Sequence, residues 1–294
     1  MHAAEPVPRP QPAPRSTTVD EPRPREPLSR RVRFGWIGEI VVVFAVYYLY
    51  DSLRDHVQGP TGLAFRNAKQ IVHAERTLHI YWEHALQHFF LPYHPFISFE
   101  NIWYGSIHFV MPVVVLVWLY RKAPARYVRW RNVLGLVLGL GLLGFWVYPV
   151  MPPRLMPAHY DFVDTAYKFF GLGKPAHADK NAFGNLYAAV PSLHLGWSSW
   201  CVFALYPQLR RWWSRALLVA YPFTIALAIV VTGNHWLLDA VAGVATTCVA
   251  YLAVRALETV TQRLRGSWRS TPPASRRTSD RRVAPTAAGT DRPG

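Results

Sequence analysis

Charged positions in this chain come in bursts, separated by long apolar intervals. No Asp, Glu, Lys or Arg lies between Glu100 and Arg121, a run of 20 residues. Such residues are also absent for 22 positions after Arg131, 29 after Lys180 and 23 after Arg215. About 20 apolar residues cross a bilayer as a helix, so each interval predicts a span. Two further apolar stretches carry one acid each, Glu39 in the first and Asp239 in the last. The pattern predicts an all-α polytopic membrane protein with six transmembrane helices, near 34–51, 101–120, 132–151, 189–207, 215–232 and 235–255. The spans must be helical, because unpaired backbone groups cost too much in hydrocarbon. Ala64 to Phe90 is amphipathic at helical spacing, with Ile71, Leu78, Trp82, Leu86 and Phe89 on one side. It predicts an interfacial helix on the membrane surface, with Trp82, Tyr93 and Trp103 in an interfacial aromatic belt.

Composition sharpens this picture. Hydrophobic residues make up 51% of the 294 and charged residues only 17%, against about 25% in soluble proteins. So apolar a chain is not disordered throughout, and two cysteines cannot make a disulfide scaffold. Cys201 and Cys248 fall within spans and read as packing residues. Residues 1–28 hold eight prolines among Arg, Glu and Ser. The chain therefore divides into a disordered Pro/Arg-rich tail (1–33), a membrane domain (34–257) and a disordered basic tail (258–294). The first apolar run starts too late for a signal peptide.

The net charge of +15 then becomes a topology signal. With the N-terminus in the cytoplasm, 24 Lys and Arg fall on the inner side and 8 on the outer. That bias places both termini in the cytoplasm and the 64–90 segment on the outer leaflet. The inner face carries +17, the outer face zero and the spans −2, so no acidic partner is needed to explain the charge. Nucleic-acid binding is not expected, since the charge lacks a folded platform. Arg outnumbers Lys 27 to 5, which suggests a GC-rich bacterial genome and hence a plasma membrane.

Three polar clusters fall at outer span ends. They are Pro152-Pro153-Arg154, Pro191-Ser192-Leu193-His194, and Thr232-Gly233-Asn234-His235 followed by Asp239. Ionisable groups in a membrane fold are functional candidates by default. Arg154 offers a planar, permanently charged fork for phosphoryl oxygens. Pro191 at a first helical position would free the N–H groups of Ser192 and Leu193 for an anion, and Ser192 adds a hydroxyl. Gly233 lets backbone approach a ligand closely, and Asn234 can cap the last helix. His235 and Asp239 are four apart and share a helix face. The carboxylate can hold one ring nitrogen as N–H and leave the other as nucleophile or base. Glu39 reads as structural, and Gly135, Gly139 and Gly141 suit close helix packing. A zinc site is not expected, because His235 and Asp239 lack Cys or Glu-rich partners.

Pro-Ser-Leu-His followed by His-x-x-x-Asp, with Pro-Pro-Arg upstream, resembles the type-2 phosphatidic acid phosphatase superfamily. The branch it is most similar to is that of inositol phosphorylceramide synthase, an inositolphosphotransferase-like group. Asn185-Leu186-Tyr187-Ala188-Ala189, Glu39 and His108 carry that likeness too. The resemblance implies that His235 attacks phosphorus to form a phosphohistidine and that Asp239 orients it. His194 would protonate the leaving oxygen and then activate water or an alcohol. Arg154, Ser192 and the Gly233 amide would hold the phosphoryl oxygens, with no metal and no cofactor. His108, Tyr104, Asn185 and Asp164 are candidates for the substrate pocket. The chain departs from the broad superfamily at Val147, where Lys is usual, at Ala228-Ile229, where Ser-Arg is usual, and at Leu193, where Gly is usual. Lys168, Lys174 and Lys180 are candidates to replace the lost cations.

The expected activity is that of a lipid phosphatase or phosphotransferase acting on a membrane lipid phosphate at the outer leaflet. The rival reading is a non-catalytic lipid-binding protein or transporter on the same fold. A transporter would place paired polar groups through several spans, whereas here they gather at one end.

Overall fold

The computed structural model describes residues 35–170 and 185–270. The expected tail at 1–33 and residues 271–294 of the tail expected at 258–294 lie outside the described residues, as do Lys174 and Lys180. Among the described residues every regular element is helical: α1 (Trp36–His56), α2 (Thr61–Thr77), α3 (Glu83–Phe90), α4 (His94–Lys122), α5 (Pro124–Val147), α6 (Thr165–Phe170), α7 (Leu193–Leu205), α8 (Trp212–Val231) and α9 (Leu237–Ser270). Helix α9 thus continues beyond position 257, where the pattern put the start of the tail.

Five of these helices, α1, α4, α5, α8 and α9, are long and apolar enough to cross a membrane. The fourth predicted span is different. It folds as the 13-residue α7, shorter than the about 20 residues a crossing needs. Pro191 lies just before it and Pro207 just after it, and its 29-residue charge-free interval is partly loop. In compensation α7 is the bundle's axis, packed by α4, α5, α8 and α9. Its Leu195, Trp197, Trp200, Cys201 and Ala204 are buried, and Trp200 Nε1 donates to the Trp130 carbonyl at 2.9 Å.

Helices α7 and α9 meet backbone to backbone. A Cβ on Gly243 would overlap the Ser192 carbonyl, so only glycine permits this approach. Thr247 Oγ1 donates across the same contact to the Gly196 carbonyl at 2.9 Å. Gly141 also packs closely, its notional Cβ 2.7 Å from Leu193 Cδ2. Gly135 and Gly139 do not, because a Cβ on either would meet nothing within 4 Å. Glu39 is structural as its position suggested. It is 3% exposed and ties α1 to α5 through Arg131 Nη1 at 2.5 Å and the Tyr127 hydroxyl at 3.1 Å.

The predicted amphipathic helix is broken in two. Chain reversal at Leu78–Trp82, with His79 at φ 59°, separates α2 from α3. The buried side is only in part the apolar side that the spacing suggested: Ile71 is buried and Leu86 packs against the core. Leu78, Trp82 and Phe89 are exposed, while Asn67, Glu75, Glu83 and Gln87 are buried. Those four polar groups turn inward because they satisfy backbone groups of other segments, as the next section describes.

Candidate active site

The segment after α5 holds Pro149, Pro152, Pro153 and Pro157, which cannot continue a helix. It is pinned from several sides instead. Asn67 Nδ2 donates to the Pro149 carbonyl at 2.8 Å. The Val150 N–H donates to the Tyr187 carbonyl at 3.0 Å, and the Met151 N–H to the Ala64 carbonyl at 3.1 Å. The buried Trp236 indole donates to the Met151 carbonyl at 3.0 Å. This framework presents Arg154 on a short 3₁₀ turn, Pro153–Leu155.

Arg154 is held at three points. Its backbone N–H donates to the Gly233 carbonyl at 2.9 Å. Its Nε donates to Asn234 Oδ1 at 2.9 Å and its Nη1 to Asp164 Oδ2 at 3.2 Å. Asp164 therefore aims the guanidinium, and its other oxygen accepts the Tyr167 N–H at 3.2 Å. Gly233 has φ 70°, and a Cβ there would sit 2.9 Å from Gln87 Nε2 and 3.4 Å from Arg154 Cβ. The position thus requires glycine. Its N–H is not free, since it donates to the Val230 carbonyl at 3.0 Å in the turn that ends α8. The expectation that this amide holds a phosphoryl oxygen is corrected accordingly: Gly233 anchors Arg154 through its carbonyl. Asn234 likewise supports Arg154 and does not cap α9, which begins three residues later.

His235 is buried just before α9. Its Nδ1 lies 3.0 Å from the Ala189 carbonyl and 3.4 Å from Asp239 Oδ2. Two acceptors at Nδ1 place the proton there and leave Nε2 with its lone pair. Asp239 is fully buried, and the same Oδ2 accepts the Trp236 N–H at 2.9 Å. His194 sits in the first turn of α7, its ring centroid 5.6 Å from that of His235. Tyr104 stacks on His194 at 4.2 Å, and His108 packs on its other side at 4.2 Å. His108 is oriented by the Tyr104 carbonyl, 2.6 Å from its Nδ1. The structure therefore brings His235, Asp239, His194, Tyr104 and His108 together, with Arg154 tied to the same Gly233–His235 turn.

Ser192 departs from expectation. Helix α7 begins at Leu193, so Pro191 is not in its first turn. The Ser192 N–H donates to the Asp239 carbonyl at 3.0 Å and is not free for an anion. Its hydroxyl, however, is fully buried and meets no partner among the described residues, leaving a donor for a phosphoryl oxygen. Asn185 acts indirectly. Its Oδ1 accepts the Tyr187 N–H at 2.9 Å, shaping the segment that ends at the Ala189 carbonyl. Lys168 is exposed and lies over the Phe169 ring, 5.7 Å from its centroid.

The pattern gave no hint of several supporting residues. Glu83 Oε1 accepts the Leu237 N–H and Glu75 Oε1 the Leu238 N–H, both at 2.8 Å. Both carboxyls are fully buried against the first turn of α9, where they complete orphan backbone donors and face the positive end of the helix dipole. Gln87 binds Val163 through both its amide atoms and donates to the Val231 carbonyl at 3.2 Å. Arg54, at the end of α1, lines a cavity of about 60 Å³ with Tyr50, His108, His194 and Trp197. His84 and His88 on α3 and the exposed Asp161 offer donor atoms within 4.8 Å of one another and could hold an ion.

Burial, and next the charge of Glu83, push the Glu75 carboxyl up to about 9, with Asp239 adding to the rise. Glu75 therefore binds its proton more tightly folded than unfolded. Its contribution to stability is complete below the ordinary carboxyl range and is lost as pH rises through about 9. Glu75→Gln keeps the acceptor for Leu238 without the charge. Its unfolding temperature should fall less steeply with pH than that of wild type between pH about 5 and 9. Parallel pH profiles in detergent would contradict this.

A family model described as the PAP2 superfamily matches residues 69–253, more than half of the chain. That range includes every group of the constellation except Arg54. No curated protein and no solved structure matches the chain.

Proposed function

The chain belongs to the PAP2 superfamily, and on that premise we propose that it transfers the phosphoryl group of a membrane lipid through a phosphohistidine at His235. Membership points to a lipid phosphatase or phosphotransferase and implies a lipid phosphate substrate. The observation that carries the finer reading is His235. Its Nδ1 is fixed by Ala189 and Asp239, and its ring lies edge-on to that of His194, with centroids 5.6 Å apart.

In the first step Nε2 of His235 attacks phosphorus. An N–P bond forms, the P–O bond to the lipid breaks, and His194 gives its proton to the departing lipid oxygen. In the second step water or an alcohol attacks phosphorus and yields its proton to His194. The N–P bond breaks and His235 is restored. Arg154 and the Ser192 hydroxyl stabilise charge on the phosphoryl oxygens. Aimed donors of this kind dominate phosphoryl transfer.

Arg54 supplies the second cation that the sequence lacks at Val147 and Ala228-Ile229. It lines the cavity that reaches His194, and it is held by Asp51 at 3.0 Å. The Lys and Arg bias supports an orientation with both termini in the cytoplasm and the site toward the outer leaflet of a bacterial plasma membrane. In that arrangement α7 and its flanking turns complete a sixth crossing, and Trp82 and Phe89 face the membrane interface.

The test is a panel of lipid phosphates in detergent and in liposomes, with and without alcohol acceptors, read as free phosphate and as transfer product. Release or transfer from at least one lipid is expected, with Arg54→Ala raising KM about tenfold through the loss of a charge-assisted contact. A purified, folded protein inert toward the whole panel would favour a non-catalytic lipid binder.

A further inference from the structure

Beside the site lies a feature that the chemistry above does not use. Helix α1 stands off the bundle, tied at one end by Glu39, Tyr127 and Arg131. Between it and α4, α5 and α9 runs a groove of about 1640 Å³. Its walls are mostly apolar, among them Val43, Phe44, Val113, Leu116, Leu134 and Leu138. Phe44 and Val113 are exposed, so one side opens to the bilayer. One end is closed by polar groups, Glu39 with Arg131 and Arg129 with Glu258 at 2.8 Å. The other end reaches Tyr47, His108, Phe109 and Trp197, and these same residues line the small cavity holding Arg54 and His194. The groove and the cavity at His194 thus adjoin through four shared residues. From His108 to Arg121, thirteen residues of α4 rise about 20 Å, some two-thirds of the about 30 Å of bilayer hydrocarbon.

We propose that this groove seats the hydrocarbon chain of the lipid phosphate, running from the phosphoryl site at His194 toward the ion pairs at its far end. The proposal rests on the lipid-phosphate reading of the site and adds where the chain lies and that chain length is sensed. The shared wall with the His194 cavity is what distinguishes a substrate seat from a surface wetted by bulk lipid. For a phosphate at Arg54 and Arg154, the groove offers the lipid tail a path that is both apolar and unfilled by the described residues. Burying that tail supplies binding energy roughly in proportion to its length. Helix α1 is then a substrate wall rather than a simple anchor, which accounts for its sparse packing on the bundle.

Gly135 makes the proposal testable. It lines the groove on α5, and a side chain there meets no protein atom within 4 Å of its Cβ. Helices α4 and α5 form an antiparallel hairpin about Ala123. Gly135 therefore lies near the level of Pro112, about one turn from His108. Gly135→Phe should block the groove one turn below the chemistry. The experiment compares dihexanoyl with dioleoyl phosphatidic acid in mixed micelles. The variant should lose at least about tenfold in kcat/KM for the long-chain lipid and stay near wild type for the short one. Val113→Trp, from the opposite wall, should show the same selectivity and guards against a folding defect particular to position 135. Equal losses, or none, for the two lipids would overturn the groove.

A second measurement does not depend on turnover. A phosphatidic acid with a diazirine at the chain end should label peptides of α1, α4 and α5, and Gly135→Phe should abolish that labelling. Phosphate release with labelling elsewhere overturns the groove and leaves the reading of the site intact. Labelling in the groove without phosphate release supports the groove and sinks that reading.

Discussion

The His235→Ala variant is expected to release no phosphate from any lipid that the wild type turns over, a loss of about 10⁴-fold or more. The size of the effect follows from what His235 does. In the proposed mechanism it supplies the nucleophile, and no neighbouring side chain can replace it at the same place. His194 lies on another helix, with its ring stacked on Tyr104. Removing the imidazole also strands Asp239 and the Ala189 carbonyl, which lose their shared N–H. The architecture should nevertheless survive. The start of α9 is fixed independently by Glu83, Glu75 and the Trp236 indole. An unchanged elution profile and unfolding temperature beside absent activity would separate chemistry from folding. Residual turnover within about a hundredfold of wild type would contradict a covalent role, since that is the range left by losing a supporting donor.

Arg154→Lys is expected to cut kcat/KM by about 10²- to 10³-fold, although the charge is kept. The guanidinium spends Nε on Asn234 and Nη1 on Asp164, which leaves Nη2 for the phosphoryl group in the proposed mechanism. An ammonium cannot make all of these contacts from one atom. The lysine variant would therefore either leave Asp164 and Asn234 unpaired or give up the substrate. Asp164→Asn should cost less, because it removes the charge while keeping an acceptor for Nη1. Steady-state kinetics on one lipid substrate would rank the two. A lysine variant as active as wild type would mean that Arg154 acts only as a distant charge.

The helical architecture and the meeting of the three polar clusters were legible in the sequence for physical reasons. Charge-free intervals of twenty residues have few alternatives to membrane helices. Phosphate chemistry needs Arg, His and a carboxylate in recognisable company. The span expected near 189–207 is found with shorter bounds, as α7 over Leu193–Leu205 followed by a 3₁₀ turn at Tyr206–Gln208, with Pro191 just before it. The inward side of α2 and α3 was only partly legible. Hydrophobicity favoured Leu78, Trp82 and Phe89, whereas Asn67 and Glu75 share a helix face with the buried Ile71. The buried face is decided by the Leu237 and Leu238 N–H groups, more than 150 residues away in the chain. Ser192 and Gly233 show the same limit at atomic scale. Their residue types fit an anion site, but which N–H groups remain free depends on Asp239 and Val230 carbonyls brought in by folding. Arg54 was invisible because a lone Arg at a span end reads first as a topology signal.

The proposed covalent step can be put to a direct test. Wild-type protein would be mixed with a lipid carrying radiolabelled phosphate, quenched in alkaline denaturant within one turnover, digested and mapped. The account predicts an acid-labile, base-stable label on the peptide containing His235, absent from His235→Ala and retained longer in His194→Ala, where the second step lacks its base. Turnover by a wild-type protein that never carries label on His235 would contradict it.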